Sequence, residues 1–209
     1  MTGKPNIAID GPASAGKGTL ARRLAMTLGL PYLDTGLLYR AVGRRVLDQG
    51  GDPADAAAAE AAARALVPAD LERGDLRGPQ ADAAAASVAS IATVRTALLK
   101  FQHEFAVRDG AVLDGRDIGT VIFPNASVKL FVTASPSERA CRRWMELRAK
   151  GVAAELQAVE EEMRQRDQLD AERIAAPLRV ADDAYRLDTT NMNADAAFEV
   201  ALAVVKARV

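Results

Sequence analysis

The segment NIAIDGPASAGKGTLARRL, residues 6 to 24, decides the fold of this chain. Its apolar start, NIAID, predicts a short buried β-strand. Its end continues into a helix in which Leu20, Leu24 and Leu28 fall on one face before Gly29. A glycine-rich turn joins the two elements. A strand, a glycine-rich turn and a helix in this order predict the first unit of an α/β protein that binds phosphate groups.

The turn itself has the spacing of a phosphate-binding loop. Gly11 and Gly16 bracket four residues and Lys17 follows, so backbone N–H groups can surround a phosphate while the lysine reaches its outer oxygens. For the glycines alone, a tight structural turn is the alternative interpretation. Gly18 stands where Ser or Thr usually holds magnesium, and this GKGT ending resembles nucleoside monophosphate kinases more than GTPases. A nucleoside triphosphate is predicted to bind Gly11, Pro12, Ala13, Ser14, Ala15, Gly16, Lys17, Gly18 and Thr19.

Length and charge narrow the class of protein. The chain has 209 residues, enough for one α/β core with a small appendage. Its 27 basic and 28 acidic residues leave a net charge of −1, which argues against a nucleic-acid or anionic-membrane partner. Cys141 is the only cysteine, no signal peptide is recognisable, and no apolar run approaches the ~18 residues of a membrane span. We therefore expect a cytoplasmic protein.

Five candidate strands alternate with helical patterns along the chain. This alternation predicts a parallel sheet with helices on both faces, and ligands of such sheets bind beyond the carboxyl ends of the strands. The strands are predicted at residues 6–10, 32–34, 111–114, 128–133 and 184–188.

Polar residues follow four of these strands, where a ligand site is expected. The first strand runs into the glycine-rich loop. The others are followed by Asp34-Thr35-Gly36, Asp114-Gly115-Arg116-Asp117 and Asp188-Thr189-Thr190. Each segment alone is typical of a turn or a helix cap. Four of them at one edge of a sheet favour a functional site.

Two regions depart from the alternation of strands and helices. Residues 52–90 are rich in alanine and predict a small helical or hairpin appendage. Residues 153–178 predict a charged helix, and a charge run is usually a solvated face. Within that helix Arg166, Asp170 and Arg173 are spaced by four and three residues, which places them on one side.

Arginines near the predicted edge of the sheet favour an acceptor that carries its own phosphate. Such side chains can surround the charge of a phosphoryl group in transfer, with a surface ion pair as the alternative role of each. A phosphate acceptor is mostly dianionic at neutral pH and needs no general base, which agrees with the single histidine, His103. The arginines are Arg40, Arg116, Arg166 and Arg173.

The chain resembles the bacterial cytidylate kinases of the P-loop nucleoside monophosphate kinase superfamily over nearly its full length. The discriminating motifs are DGRDIGTVIFP at 114–124 and R-D-x-x-D-x-x-R at 166–173, because adenylate kinases share the first loop but neither of these. The other matching motifs are IDGPASAGKGT at 9–19, LDTGLLYR at 33–40, Val94-Arg95, SERACRR at 137–143 and LDTT at 187–190.

The resemblance implies a single kinase unit with a P-loop fold of five parallel strands flanked by helices. Its core would span about residues 1–51, 96–149 and 179–209, with a small insert for the nucleoside monophosphate at about 52–95 and a mobile lid at about 150–178. The implied reaction is transfer of the γ-phosphoryl group of ATP to CMP or dCMP with Mg²⁺. We expect a monomer whose partners are these small molecules.

The resemblance also implies roles for individual residues, none of them as a metal ligand. The implied catalytic residues are Lys17, Arg116, Arg166 and Arg173. The implied substrate contacts are Thr35 and Arg40 to the acceptor's sugar and phosphate, Arg116 and Arg173 to its phosphate, Arg166 to the phosphates between donor and acceptor, Asp170 to the ribose, and Arg95 and Asp117 to the base.

A guanidinium paired with a carboxylate suits cytosine. The base presents acceptors at O2 and N3 and a donor amine at N4. Uracil has no amine for the carboxylate, and leaving such a buried group unpaired costs about 1–3 kcal/mol, enough for roughly tenfold discrimination.

Two other functions stay open on the residues alone. A nucleotide-binding switch without an acceptor would carry a guanine-reading N-K-x-D motif or a hydroxyl directly after Lys17, and the chain has neither. A small-molecule kinase of the same fold, acting on a hydroxyl of a sugar or an acid, is the second alternative.

Overall fold

The computed structural model of the protein describes residues 4–106, 109–173 and 175–209. The chain forms two compact units, one built from the residues up to Leu33 and from Asp109 onward, the other from the residues between them. In chain order the elements are β1 (Asn6–Asp10), α1 (Lys17–Leu28), β2 (Tyr32–Asp34), α2 (Thr35–Asp48), α3 (Ala56–Arg64), a 3-10 helix (Pro68–Glu72), α4 (Pro79–Ala89), α5 (Ala92–Ala106), β3 (Ala111–Gly115), a π-helical turn (Ile118–Ile122), β4 (Val128–Thr133), α6 (Pro136–Ala149), α7 (Leu156–Glu172), β5 (Tyr185–Asp188) and α8 (Ala194–Lys206).

The strands form one sheet with β1 at its centre, in the order β2-β3-β1-β4-β5. β1 pairs in parallel with β3, where Ile9 lies opposite Asp114, and with β4, where Ile9 lies opposite Leu130. β4 also pairs in parallel with β5. The predicted α/β fold is therefore confirmed, and each strand begins and ends within a residue of its predicted bounds. Parallel pairing brings the carboxyl ends of β1, β3, β4 and β5 to one edge.

Helices of the first unit begin and end at residues with capping chemistry. α1 ends at Gly29, whose left-handed backbone, φ +61°, closes the helix as glycine does most readily. Ser135 Oγ accepts the N–H of Glu138 at the start of α6. Asn193 Oδ1 accepts the N–H of Ala196 at the start of α8. These caps fix the helices that follow β4 and β5.

The core of the first unit packs the sheet against α1 and α8. Ile7 and Ile9 of β1 are fully buried and share one apolar cluster with Leu24 of α1 and Phe198 of α8. A smaller cluster joins α6 to α7, and its buried members are Ala140, Leu147, Val159 and Met163. The apolar core thus packs around β1, the strand that leads directly into the glycine-rich loop.

The second unit is helical, so the hairpin alternative for residues 52–90 is wrong. Alanine favours helix and lets helices approach closely. α2 and α4 meet at Gly43, where a Cβ would lie 2.7 Å from the Cβ of Ala84. Within the described ranges no single helix is long and apolar enough to cross a membrane; α4 and α5 reach that length and composition only as a pair bent by 100°. The division of the chain into core, insert and lid at the residues given above remains a prediction.

Candidate active site

The loop between β1 and α1 has the strained backbone of a phosphate-binding loop. Gly11, Ser14 and Gly16 have positive φ angles of 144°, 57° and 89°. A Cβ on Gly11 would lie 1.9 Å from the carbonyl oxygen of Val132, so only glycine fits against β4. α1 begins at Lys17, and the positive end of its dipole therefore points into the loop. This geometry presents backbone N–H groups to an anion.

Lys17 closes the loop from inside. Its side chain is buried, and Nζ donates a hydrogen bond of 2.7 Å to the carbonyl oxygen of Pro12. Burial, together with the positive charge of Arg116, lowers the pKa of Lys17 to about 7. A lysine held in this way is ready to transfer its hydrogen bonds to a phosphate, whose negative charge restores its proton.

Two side chains from distant segments hold the loop from outside. The hydroxyl of Thr189, after β5, is shared between the carbonyl oxygens of Ala15 at 3.2 Å and Thr133 at 3.1 Å. Arg139 of α6 donates from Nη1 to the carbonyl oxygen of Ala13 at 3.3 Å and pairs with Asp167 of α7 at 2.6 Å. Neither contact was predicted. In the sequence Arg139 stands within the SERACRR motif and Thr189 within the turn-like segment Asp188-Thr189-Thr190, and neither pattern indicates a contact with the loop.

Carboxylates lie at or next to the carboxyl ends of the neighbouring strands β1 and β3. Asp10 ends β1, is buried, and accepts the N–H groups of Ile118 and Gly119 at 2.8 and 2.7 Å. Burial raises the pKa of Asp10 to about 6, although these two hydrogen bonds act to lower it. Asp114 of β3 accepts the hydroxyl proton of Tyr32 at 2.8 Å, and its Oδ2 faces Gly18. These groups make the edge of the sheet acidic beside the loop.

A buried charge cluster brings together three of the predicted site residues. Asp170 of α7, only 2% exposed, binds Arg116 at 2.7 Å through one oxygen and Arg173 at 2.5 Å through the other. Burial acts to raise the pKa of Asp170, but the positive charges of Arg116 and Arg173 outweigh it and the pKa lies below the ordinary value. Arg166, one turn earlier on α7, adds its charge to the same effect. Asp117 is buried directly after the Arg116 position.

The second unit carries the other predicted acceptor residues. Thr35 is buried at the first position of α2, and Arg40 follows on the same helix. Arg40 donates from Nε to Asp82 Oδ1 of α4 at 2.9 Å, a partner that the sequence did not reveal. Arg95 of α5 lies over the ring of Tyr39, 5.6 Å from its centre. Thr35 and Arg40 are thus on one helix, while Arg95 comes from another.

A parallel sheet whose central strand runs into a GKGT loop, in a chain whose arginines pair with a buried carboxylate, defines a P-loop kinase. The family model for cytidylate kinase matches residues 7–207. The chain belongs to the cytidylate kinase family, and the predicted enzyme class, a kinase that phosphorylates CMP, is confirmed.

Relatives support membership of the cytidylate kinase family over nearly the whole chain. A cytidylate kinase of Granulibacter bethesdensis is 61% identical over 96% of this chain and 96% of its own length. One of Acidiphilium cryptum is 61% identical over 98% of this chain and 97% of its own.

Solved structures share the fold at much lower identity. An uncharacterized protein from Eubacterium ventriosum superposes with a TM-score of 0.60 at 12% identity, covering 98% of this chain and all of its own. A gluconokinase from Sinorhizobium meliloti gives 0.51 at 14% identity, covering 99% and 94%. At these identities the likeness concerns the fold alone.

Proposed function

We propose that this kinase transfers the γ-phosphoryl group of ATP directly to the phosphate of CMP or dCMP, releasing ADP and CDP or dCDP. The observation that carries the proposal is the buried cluster in which Asp170 holds Arg116 and Arg173, in the same unit as the phosphate loop. Arginines placed around a phosphoryl group stabilise the charge that spreads over it in transfer.

The donor binds the glycine-rich loop. The loop N–H groups and the start of α1 surround the β- and γ-phosphates of ATP, and Lys17 leaves the carbonyl oxygen of Pro12 for a phosphate oxygen. The contacts of Ala13 and Ala15 with Arg139 and Thr189 keep the loop in shape before ATP arrives. A preformed loop spends little ordering entropy on binding.

Arginines bind the phosphate of the acceptor nucleotide, and a carboxylate selects its base. Thr35 and Arg40 bind the sugar and phosphate of CMP, and Arg40 releases Asp82 when the phosphate takes its place. Arg95 and Asp117 bind the cytosine, Asp117 accepting from the N4 amine. Asp117 is buried, which makes an unpaired state with uracil costly.

The transfer itself depends on three arginines. Arg116 and Arg173 bind the acceptor phosphate, and Arg166 binds the phosphates between donor and acceptor. Asp170 binds the ribose and holds Arg116 and Arg173 in place. The lid at about residues 150–178 closes over ATP and excludes water, which would otherwise hydrolyse it.

The residues beside the loop fit a magnesium ion. Mg²⁺ in such enzymes takes one or two carboxylates, with phosphates and water completing its shell. Asp114 supplies a carboxylate oxygen that faces Gly18, next to Thr19, which stands one place later than the usual ligand. When bound, the ion neutralises charge on the β- and γ-phosphates.

We also propose a monomer that works in the cytoplasm, where ATP is available.

An acceptor assay tests the proposal. ADP release is measured with ATP and Mg²⁺ against CMP, dCMP, UMP, AMP and GMP, with Lys17→Ala as the inactive control. We expect CMP and dCMP to be the best acceptors. The absence of stimulation by CMP and dCMP overturns the proposal. Activity restricted to a small hydroxyl compound would instead favour the alternative kinase.

A further inference from the structure

Asp10 is a buried carboxylate with no role in the reaction so far. It ends β1, is 4% exposed, and is followed directly by Gly11, the first residue of the phosphate loop. Burying a carboxylate is unfavourable unless its hydrogen bonds are satisfied. The hydrogen bonds that the carboxylate of Asp10 accepts therefore indicate its role.

The carboxylate of Asp10 holds the backbone that follows Asp117. Oδ1 accepts the N–H of Ile118 at 2.8 Å and Oδ2 accepts the N–H of Gly119 at 2.7 Å. These residues start the π-helical turn, and the first N–H groups of a helical turn have no partners within it. Each oxygen serves a different N–H, so both oxygens are required.

Gly119 makes this approach possible. A Cβ at Gly119 would lie 3.3 Å from Oδ2 of Asp10 and 3.1 Å from Cδ of Lys129, which is tighter than ordinary van der Waals contact. The backbone at Gly119 has no left-handed φ angle that would itself require glycine. A side chain at this position would therefore require Asp10 or Lys129 to shift by a few tenths of an ångström.

We propose that Asp10 is a positioning residue for base selection: by binding the N–H groups of Ile118 and Gly119 it fixes Asp117 relative to the phosphate loop. The inference rests on the proposed role of Asp117 in binding cytosine. Its physical basis is the short path of the chain, because Asp10 is adjacent to Gly11 on one side and hydrogen-bonded to the two residues after Asp117 on the other. Asp10 is buried, and it acts on the base through this backbone.

Asp10→Asn is the main test. Asparagine keeps the shape, but it offers one acceptor oxygen and turns an amide donor toward the second N–H. We expect the KM for CMP to rise and the preference for CMP over UMP in kcat/KM to fall, each by roughly tenfold, as the loss of one hydrogen bond to a charged group predicts. The KM for ATP should rise by less than the KM for CMP, since the loop keeps its contacts with Arg139 and Thr189 and only the charge of Asp10 near Lys17 is lost.

Asp55→Asn is a matched control. Asp55 Oδ1 also accepts two successive backbone N–H groups, those of Ala57 and Ala58 at 2.8 and 3.3 Å, at the start of α3. Asparagine is an equally good cap there, so neither KM nor base preference should move. Gly119→Ala is the second variant, whose Cβ would crowd Oδ2 of Asp10 at 3.3 Å without removing its charge. It should shift the CMP KM and the base preference in the same direction, and it keeps the test valid if Asp10→Asn does not fold.

Asp117→Asn separates this inference from the function on which it rests. If that variant loses its preference for CMP while folded Asp10→Asn keeps the wild-type preference and CMP KM, the role of Asp10 is overturned and the proposed function stands. An equal rise of the ATP and CMP KM values in Asp10→Asn also overturns it, because the carboxylate would then act on the loop alone. If Asp117→Asn keeps the preference for CMP, the proposed role of Asp117 is wrong, and the inference about Asp10 that rests on it is wrong as well.

Discussion

Arg116 and Asp170 form an ion pair in which the guanidinium Nε lies 2.7 Å from a carboxylate oxygen that is almost completely buried. The pair joins the turn after β3 to the last turn of α7. The second carboxylate oxygen holds Arg173 at 2.5 Å. One carboxylate thus pairs with two of the arginines proposed to act on the acceptor phosphate and holds both beside it, and the three groups together keep a net positive charge.

Asp170→Asn should destabilise the fold. The change leaves two largely buried guanidinium groups without a counter-charge, which costs about 3 kcal/mol in the free energy of unfolding. Urea unfolding measures it, with Glu161→Gln on the exposed face of α7 as the control. The pKa of Asp170 lies below 3.8 in the folded state, so the stabilisation is present at neutral pH and is lost as pH falls below 3.8 through the folded pKa. Equal stability of the two variants at neutral pH would contradict this.

Arg173→Ala should slow turnover with little loss of ATP affinity. An arginine that stabilises the transferring phosphoryl group is worth about 10³-fold or more in kcat. Steady-state kinetics give kcat, and calorimetry gives the dissociation constant of ATP. Arg164→Ala, which removes an exposed arginine of α7, the helix that ends just before Arg173, is the control and should match the wild type. A fall of less than about tenfold in kcat would exclude a role in the transition state.

Binding of ATP should take up a proton through Lys17. With a pKa of about 7, the free amine is mostly neutral at about pH 8, and the phosphates raise that pKa when they bind. Calorimetry in buffers of different ionisation enthalpy should therefore show uptake approaching one proton per ATP at about pH 8, and less at about pH 6. Lys17→Arg keeps its charge throughout and should show no such uptake. Buffer-independent heats for the wild type would refute the lowered pKa.

Arg40→Ala should weaken the binding of CMP and leave the binding of ATP unchanged. Loss of a charged contact to a phosphate costs about 1.5–3 kcal/mol, so the KM for CMP should rise by at least about tenfold while the KM for ATP is kept. Arg44→Ala is the matched control, because Arg44 lies one turn further along α2 and is engaged by Asp48 and Asp75. If both variants have the same KM for CMP, Arg40 does not bind the phosphate.

Gly11→Ala should prevent stable folding of the loop. The added Cβ would meet the carbonyl oxygen of Val132 at 1.9 Å, at a φ of +144° that side chains rarely adopt. We expect a loss of more than about 4 kcal/mol in the free energy of unfolding, seen in chemical denaturation. Gly74→Ala adds the same methyl group in open space, so its unfolding curve should overlay the wild type. A Gly11→Ala variant as stable as Gly74→Ala would show that the contact with β4 relaxes freely.

The sheet could be predicted because its strands are short apolar runs between strong local signals. β1 is followed by glycines, α6 begins at a serine and a proline, and α8 begins at an asparagine, so each boundary is set by neighbouring residues. The glycine-rich loop was predictable for the same reason. Its backbone angles and its lysine are determined within nine residues.

The contacts that complete the site could not be predicted, because they join distant parts of the chain. Asp10 accepts hydrogen bonds from Ile118 and Gly119, which are separated from it by 108 and 109 positions in the chain. Arg139 donates to a carbonyl group 126 positions away. Asp82 lies in a helix of alanines, where nothing local marks it as the partner of Arg40. Such pairs depend on the register of the sheet and on helix packing, which only the folded chain provides.

The hydrogen bond from Thr189 to Ala15 spans 174 positions, and Arg142 in turn binds both Oγ1 and the carbonyl oxygen of Thr189. During synthesis the ribosome therefore releases the phosphate loop long before the residue that holds it. The nascent chain carries its nucleotide-binding motif from the first twenty residues, yet that loop acquires its last support only when β5 has left the exit tunnel. The contact of Thr189 with the loop can therefore form only after all five strands of the sheet have been synthesised.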